Sequence, residues 1–164
     1  MILRDYKSED AREIIKWIHS ERELKLWSAD RYNKYPITPD DINDFYSFAK
    51  SQSLFCPLIL EDNGKVIGHI ILRKKDPNKN IIRLGFVIVD STIRGKGYGR
   101  KLLEESIKYA KEKYNPEKLS IGVFTINTSA YKCYENVGFK TVEVLKDAFH
   151  FYNESWDCAE MILE

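Results

Sequence analysis

The sequence predicts a mixed α/β fold, in which about four helices flank a central, mixed and mostly antiparallel sheet of about seven strands. Three observations lead to this prediction. Short runs rich in β-branched residues recur along the chain, between segments in which apolar residues follow a helical period. Asn63 and Gly64 separate two such runs, which indicates an antiparallel hairpin. A helical segment joins the runs 81–89 and 118–125, and a crossover of this kind makes two strands parallel.

The first third of the chain is predicted to form one strand and two helices. Residues 2–6 form the strand, and Ser8 caps a helix that continues through residues 21–27. After a loop over residues 28–37, Thr38 caps the second helix and Pro39 takes its first position, where proline is favoured. The apolar positions of the two helices are Ala11, Ile14, Ile15 and Ile18 in the first, and Ile42, Phe45, Tyr46 and Ala49 in the second.

A three-stranded meander is predicted next, over residues 54–61, 66–73 and 81–89. Pro57 has no backbone N–H group to offer a neighbouring strand, so it predicts an edge strand or a bulge. A helix follows the third strand, and its apolar positions recur at helical spacing. They are Leu103, Ile107, Ala110 and Tyr114.

The last third is predicted to contain a strand, a helix and a final strand pair. The strand covers residues 118–125, and the helix runs from Asn127 to Gly138, a residue type favoured just after a helix end. Residues 139–145 and 156–163 form the last two strands. A loop joins them and contains the polar residues Asp147, His150, Tyr152, Asn153 and Glu154.

A glycine-rich loop links the strand 81–89 to its helix, and this arrangement is suited to holding a phosphate. Glycines let the backbone approach an anion closely, and the first N–H groups of a helix, together with its dipole, attract negative charge. The loop contains Gly95, Gly97 and Gly99. Basic side chains surround it: Arg94, Lys96, Arg100 and Lys101. A single surface charge contributes little to binding, so a role in phosphate binding is least supported for Lys101.

The spacing of the glycines narrows the kind of phosphate ligand. No Gly-Lys-Ser/Thr sequence closes the loop, so the Walker pattern is absent. The dinucleotide fingerprint needs one more residue between the second and third glycine, and an acidic residue that is missing from 119–125. A nucleotide-dependent oxidoreductase is therefore disfavoured. The loop does fit the pattern Arg-x-x-Gly-x-Gly, with Arg94, Gly97 and Gly99.

A second motif lies over residues 127–139 and contains Asn127, Tyr134, Gly138 and Phe139. With these two motifs, the sequence resembles the GCN5-related N-acetyltransferase (GNAT) family. The resemblance implies a GNAT-like fold and acetyl-CoA as co-substrate, with its pyrophosphate on the loop. It implies strand-like pairing of the pantetheine arm with the backbone of residues 87–89. The cofactor-binding residues that it implies are Val87, Ile88, Val89, Arg94, Gly95, Lys96, Gly97, Tyr98, Gly99, Arg100 and Asn127.

The resemblance also implies that Tyr134 lies beside the sulfur as a general acid. A phenol with a pKa near 10 is protonated at pH 7 and can protonate the thiolate that leaves during acetyl transfer to an amine. The alternative is that Tyr134 is a core aromatic residue on an amphipathic helix, with no catalytic role. Cys133 projects about 100° from Tyr134 on that helix, so a covalent enzyme intermediate is not expected. The predicted activity is therefore direct transfer of an acetyl group to a primary amine.

The general base is not identified by the sequence. Some relatives carry a carboxylate five positions before the motif's asparagine, and here that position is Gly122. His69, His150, Glu154 or a chain of water molecules can take this role, and an amine that arrives neutral needs no base. The missing carboxylate also motivates a second hypothesis, a catalytically weak acyl-CoA sensor module.

The acceptor is expected to meet the first helices and the last strand pair. Trp17, Trp27, Asp30, Tyr32 and Tyr35 form an aromatic and acidic cluster. Trp27, Asp30 and Tyr32 are its candidate substrate-binding residues, because a carboxylate and aromatic faces suit a cation. A lid packed on the sheet explains the same residues equally well. The tail over residues 147–161 loosely resembles that of polyamine and ribosomal-protein acetyltransferases, so a small amine, a polyamine or a protein N-terminus remains open.

Composition limits the other function classes. The chain has 164 residues, 26 basic and 25 acidic, which predicts a single domain and disfavours nucleic-acid binding through bulk charge. It contains no long apolar run and its start does not resemble a signal peptide, so neither a membrane span nor secretion is expected. Its three cysteines have no metal-site spacing and predict reduced thiols in a cytoplasmic protein with no bound metal. Homodimer formation is left open.

Overall fold

One sheet of seven strands organises the computed structural model, which describes all 164 residues. Its strands are β1 (Ile2–Asp5), β2 (Phe55–Asp62), β3 (Lys65–Arg73), β4 (Ile81–Val89), β5 (Lys118–Phe124), β6 (Lys140–Phe151) and β7 (Glu154–Leu163). Their order across the sheet is β1-β2-β3-β4-β5-β7-β6. Only β4 and β5 pair in parallel, and every other neighbouring pair is antiparallel. The mixed, mostly antiparallel sheet that the sequence predicts is confirmed.

Five α-helices flank the sheet, one more than predicted. They are α1 (Ala11–Ile15), α2 (Glu21–Ser28), α3 (Pro39–Gln52), α4 (Tyr98–Tyr114) and α5 (Thr128–Asn136). None of them is long and apolar enough to cross a membrane.

The first predicted helix is in fact two helices, because a second cap interrupts it. The Ser20 hydroxyl accepts a hydrogen bond from the Glu23 N–H at 3.1 Å, which starts α2 anew. Ser8 is not the predicted cap, since it lies in a short 3₁₀ turn, Ser8–Asp10. There the Asp10 carboxylate accepts from the Lys7 N–H at 2.7 Å.

The start of α3 agrees with its prediction. The Thr38 hydroxyl accepts from the Asp41 N–H at 3.2 Å, and the Asp41 carboxylate accepts from the Thr38 N–H at 2.8 Å. This reciprocal capping box satisfies two N–H groups that the helix itself leaves unpaired. Pro39 occupies the first turn, where its missing N–H costs nothing.

Pro57 lies in a strand that is paired on both sides, so the predicted edge or bulge at this residue is wrong. Its carbonyl accepts from the Tyr6 N–H at 3.1 Å, one residue beyond the end of β1. In a strand, the N–H and C=O of one residue point the same way, so the missing N–H faces the place where β1 has stopped. The predicted hairpin turn is present, with positive φ angles of 50° at Asn63 and 79° at Gly64.

The final hairpin is longer than predicted, because the residues predicted as a loop continue the two strands. Only Tyr152 and Asn153 separate β6 from β7. A bulge between Leu145 and Phe149 interrupts the regular pairing of β6 with β7. At this bulge the Asp157 carboxylate accepts from the Asp147 N–H at 2.9 Å. Polar residues are tolerated in β6 because it is an exposed edge strand.

Two apolar layers cover the two faces of the sheet. One face packs against α4 and α5, with Leu84, Leu102 and Ile121 among its fully buried residues. The other packs against α1, α2 and α3, with Ile14, Ile42 and Ile71 in its core. The apolar core of the second layer lies over β2 to β4, and α2 reaches β7 through the ion pair of Arg22 with Glu154. The remaining part of that face, over β5 and β7, lies beside the candidate site.

Candidate functional site

The site begins where β4 and β5 separate. The two strands pair only from Ile81 with Lys118 to Leu84 with Ile121. Beyond these residues, β4 continues beside β3 and β5 continues beside β7, so the edges that face each other carry no shared pairing. Two diverging parallel strands leave a wedge lined by free backbone groups, and such a wedge can accept an extended ligand as an added strand.

A bulge in β4 shapes this wedge. Between the pairs Ile71 with Gly85 and His69 with Ile88, one residue of β3 faces two residues of β4. Phe86 adopts a positive φ of 52° at this point, which is rare for a side chain of its size. The extra residue reverses which face of the sheet the following side chains of β4 point to. Phe86 and Ile88 therefore pack with the helices α1 to α3, while Val87 packs on the opposite face.

The glycine-rich loop closes one end of the wedge. Gly95 and Gly97 have positive φ angles of 79° and 87°, and a Cβ at either position would meet nothing within 4 Å. Both glycines are therefore needed for backbone conformation and leave open space beside the loop. No side chain caps α4, and its first turn contains no acidic residue. The free N–H groups of this turn are thus available to an anion.

The basic residues of the loop have different surroundings. Arg94 donates to the Trp17 carbonyl at 3.0 Å and to the Val89 carbonyl at 3.4 Å, so it ties the loop to the segment between α1 and α2. Arg100 is paired with Glu104 at 2.8 Å, one helical turn further on. Lys96 is exposed and makes no hydrogen bond or ion pair.

A cavity of about 1040 Å³ extends from the loop through the wedge. It is lined by most of the cofactor-binding residues that the sequence indicates: Val87, Ile88, Val89, Arg94, Gly95, Gly97, Tyr98, Gly99, Arg100 and Asn127. Tyr134 and Trp27 line it as well, whereas Lys96, Asp30 and Tyr32 do not. The cavity passes from the α4 side of the sheet to the α2 side, so two ligands can meet inside it from opposite faces.

Asn127 and Tyr134 are carried by one helix beside this cavity. Asn127 precedes α5, and its carbonyl accepts from the Tyr131 N–H at 3.0 Å. Tyr134 is 7% exposed, and its hydroxyl has no protein hydrogen-bond partner. Burial raises the pKa of Tyr134 well above the ordinary value, and the neighbouring Cys133 adds to this effect. The phenol is therefore protonated at neutral pH and can act as a donor.

Cys133 also lines the cavity, although the helical angle predicts that it points away from Tyr134. Its Sγ would lie 3.8 Å from a Cβ at Gly99, so it packs against the start of α4. Burial raises the pKa of the Cys133 thiol, with a smaller opposing effect from Arg100. A thiol with a raised pKa is a poor nucleophile at neutral pH.

The three side chains named as bases do not line the cavity. His69 is fully buried, and its two ring nitrogens lie 2.6 Å from the Tyr46 hydroxyl and 2.9 Å from the Leu58 carbonyl. Burial lowers the pKa of His69 to about 4. His150 is exposed on β6, and Glu154 is paired with Arg22 at 3.2 Å.

The aromatic and acidic cluster is divided by the fold. Trp27 and Tyr32 stack with ring centroids 6.2 Å apart, and Trp27 separates the buried Tyr32 from the cavity. Trp17 is 3% exposed and belongs to the core beneath α1. Asp30 is exposed and accepts from Arg31 at 3.0 Å. Trp17 and Trp27 thus both pack in this layer and line the cavity, whereas Asp30 lies outside the cavity.

Three arginines in the cavity lining are absent from the sequence prediction: Arg31, Arg73 and Arg83. Arg83 donates two hydrogen bonds to Glu160, at 2.8 and 3.1 Å. Its guanidinium group lies against Gly122, and Glu160 Oε1 lies 3.4 Å from where a Cβ of Gly122 would be. A carboxylate from β7 therefore lies beside the position where some relatives carry one on β5. One signal was visible in the sequence, because Arg83 is a charged residue between the apolar residues Ile82 and Leu84.

Comparison with known proteins adds independent information on this arrangement. The sequence model of the Acetyltransferase (GNAT) family matches residues 12–139. The chain is 32% identical over 108 residues to an N-alpha-acetyltransferase of Sulfurisphaera tokodaii, covering 60% of this chain and 63% of the relative. It is 28% identical over 106 residues to an N-acetylaspartate synthetase of Xenopus tropicalis, covering 65% of this chain and 38% of the relative. The chain therefore spans less than two thirds of the length of either relative.

A solved structure shares the whole fold. It is the spermidine N-acetyltransferase of Vibrio cholerae in complex with CoA and spermine, with a TM-score of 0.83 and 21% sequence identity, covering 99% of this chain and 94% of that one. At this identity the likeness establishes the fold alone. The family match covers 128 of the 164 residues, from 12 to 139. The chain therefore belongs to the Acetyltransferase (GNAT) family, whose members are acetyltransferases that take acetyl-CoA as their acetyl donor.

Proposed function

We propose that this chain transfers the acetyl group of acetyl-CoA to a primary amine by direct attack, with Tyr134 as the general acid. One observation carries the proposal. A single cavity joins an uncapped, glycine-rich helix start to the hydroxyl of Tyr134, a buried residue whose hydroxyl has no protein partner. A small amine or the N-terminus of a peptide can enter from the α2 face of the same cavity. Relatives named as N-alpha-acetyltransferases support an acceptor of this kind.

The donor is proposed to lie along the α4 side of the wedge. Its pyrophosphate accepts from the first N–H groups of α4, where Gly95 and Gly97 leave room. Its pantetheine arm pairs with the free backbone edge of residues 87–89, and Asn127 holds the arm from α5. Arg94 is proposed to keep the loop in place, since it is bonded to two backbone carbonyls of neighbouring segments.

The chemical step needs one proton at the sulfur and the loss of one from the amine. The amine nitrogen forms a bond to the thioester carbonyl carbon, and the carbon–sulfur bond breaks as Tyr134 protonates the departing thiolate. Its raised pKa keeps Tyr134 in the donor form over the whole neutral range.

Formation of the neutral amine before attack is proposed to occur in water, without a dedicated base. The proton that the nitrogen then loses after attack replaces the one that Tyr134 gives to the sulfur. His69 is enclosed by two hydrogen-bond partners, and Glu160 is bound to Arg83. An amine with a pKa near 10 is only about 0.1% neutral at pH 7, whereas a peptide α-amino group with a pKa near 8 is roughly 10% neutral. A peptide N-terminus therefore needs the least help in this site.

A screen of amines for acetyl-CoA-dependent thiol release tests the proposal, with mass spectrometry of the product to locate the acetyl group. We expect at least one class among peptides, amino acids and polyamines to gain 42 Da on nitrogen, a mass that follows from exchange of one hydrogen for an acetyl group. Binding of acetyl-CoA in calorimetry, together with no turnover of any class, would instead favour the acyl-CoA sensor hypothesis.

A further inference from the structure

Arg73 is a substantially buried arginine without a partner. It lies at the end of β3 and lines the cavity, and its side chain makes no hydrogen bond or ion pair with the rest of the chain. Burial is the main cause that lowers the pKa of Arg73 to about 10, with smaller contributions from Arg83 and Arg31 and an opposing one from Glu160. A guanidinium group that is partly desolvated and unpaired costs the fold some stability, because a charge that loses water contacts is normally neutralised.

The surrounding charges do not compensate Arg73. Arg73 and Arg83 are direct partners across β3 and β4, and like charges at such positions destabilise a sheet. The Glu160 carboxylate is bound by both nitrogens of Arg83. Arg31 is paired with the exposed Asp30. Glu23 also lines the cavity, but its carboxylate accepts from the His19 N–H at 2.6 Å. Of the three guanidinium groups, that of Arg73 is left without a carboxylate partner.

The donor does not account for this charge. Arg83 lies six residues before Val89 on β4, which is roughly 20 Å from the glycine loop at about 3.3 Å per residue. A pyrophosphate on the loop is therefore too distant to neutralise Arg73. Arg73 and Arg83 lie on the sheet face that α2 partly covers, opposite α4, where the acceptor is proposed to enter.

We propose that Arg73 binds a carboxylate of the acceptor, so that the preferred acceptor is an amine with a carboxylate close to its amino group. The proposal rests on the proposed function and names its substrate class. A guanidinium group binds carboxylates through two parallel hydrogen bonds, which fixes orientation as well as adding affinity. The Arg83–Glu160 pair then forms one side of the acceptor site. The carboxylate of the bound acceptor supplies the negative charge that Arg73 lacks within the chain. A polyamine, which carries only positive charge, is disfavoured by the same arginine.

Matched pairs of acceptors test the proposal and distinguish two sources of the carboxylate. The first pair is L-aspartate and its diamide, and the second is the amidated peptides Asp-Ala-Ala and Asn-Ala-Ala. Spermidine is the cationic comparison. Each is assayed with the parent, with Arg73→Gln, with Arg73→Lys, and with Arg12→Gln, which removes an exposed arginine of α1 outside the cavity.

We expect the parent to prefer the carboxylate member of at least one pair by tenfold or more in kcat/KM. Arg73→Gln should reduce that preference to near one through KM, Arg73→Lys should retain part of it, and Arg12→Gln should retain all of it. A preference within the first pair identifies a free amino acid, and one within the second identifies an acidic N-terminus. Equal use of both members, a preference for spermidine, or an unchanged preference in Arg73→Gln would overturn the inference and leave the acetyltransferase function standing.

Binding provides a second readout that does not require turnover. Calorimetry of L-aspartate and of the acidic peptide into the CoA-bound protein should show affinity in the parent and a loss of at least tenfold in Arg73→Gln. Unchanged acetyl-CoA affinity in the variant shows that it is folded. If neither carboxylate compound binds the parent, or if the parent and Arg73→Gln bind them equally well, Arg73 has no role in acceptor recognition.

Discussion

The guanidinium group of Arg83 lies directly against Gly122, so that a Cβ at Gly122 would collide with the Nη2 atom of Arg83. The two residues sit on adjacent strands at the point where β4 and β5 separate. Gly122 is therefore required by the position of a neighbouring side chain. Arg83 is held there by its two hydrogen bonds to Glu160.

Substitution Gly122→Ala should displace the Arg83 head group without unfolding the protein. Because the colliding atom ends a flexible side chain, we expect a loss of about 1 kcal/mol in the free energy of unfolding, at the low end for overpacking. The KM for the acceptor should rise, while acetyl-CoA affinity stays unchanged. Gly85→Ala is the matched control for stability, since its Cβ would meet only Ile71 atoms at 3.6 and 3.7 Å. An unaltered acceptor KM in Gly122→Ala would show that Arg83 does not face the acceptor.

Substitution Gly97→Asp should weaken the binding of acetyl-CoA. It places a negative side chain beside the free N–H groups at the start of α4, where the pyrophosphate is proposed to bind. We expect calorimetry to show a loss of at least tenfold in affinity. Gly64→Asp is the control, because Gly64 has a similar positive φ of 79° and equal free space, but lies in the hairpin between β2 and β3. Equal losses in both variants would point to backbone strain alone.

Patterns confined to one segment of the chain could be predicted from the sequence. The Asn63–Gly64 turn and the capping box of Thr38 and Asp41 depend on neighbours a few residues apart. The parallel crossover follows from the helix that joins two consecutive strands. The second helix boundary at Ser20 was missed because apolar spacing continues across it. The long final hairpin was missed because polar residues in β6 look like a loop, although an exposed edge strand tolerates them.

Features that depend on contacts between distant segments could not be predicted. The bulge at Phe86 has no local marker, because a large residue at positive φ is stabilised only by the surrounding core. Arg73 and Arg83 become neighbours only when β3 pairs with β4. In the same way, Glu160 reaches Gly122 only through the pairing of β5 with β7. The glycine loop and Tyr134 were recognisable because each belongs to a short motif.

The buried His69 should make stability depend on pH. Burial lowers its pKa to about 4 in the folded chain, whereas an unfolded histidine titrates near 6.5. Between these two values only the unfolded chain binds the proton, so stability falls as the pH is lowered through this window. We expect a loss of about 2 kcal/mol from pH 7.5 to pH 5 in urea unfolding. His69→Gln should lack this slope, and a slope that persists in the variant would assign it to other groups.

The most direct measurement of the central claim compares Tyr134→Phe with the parent enzyme on its best acceptor. The substitution keeps the buried ring, so the fold and the acetyl-CoA affinity should survive. If the phenol protonates the departing thiolate, kcat should fall by about 10² to 10⁴. In the parent, the raised pKa of Tyr134 predicts no descending limb from this group below about pH 10. A fall in kcat of less than about threefold would contradict the account and leave Tyr134 as a core aromatic.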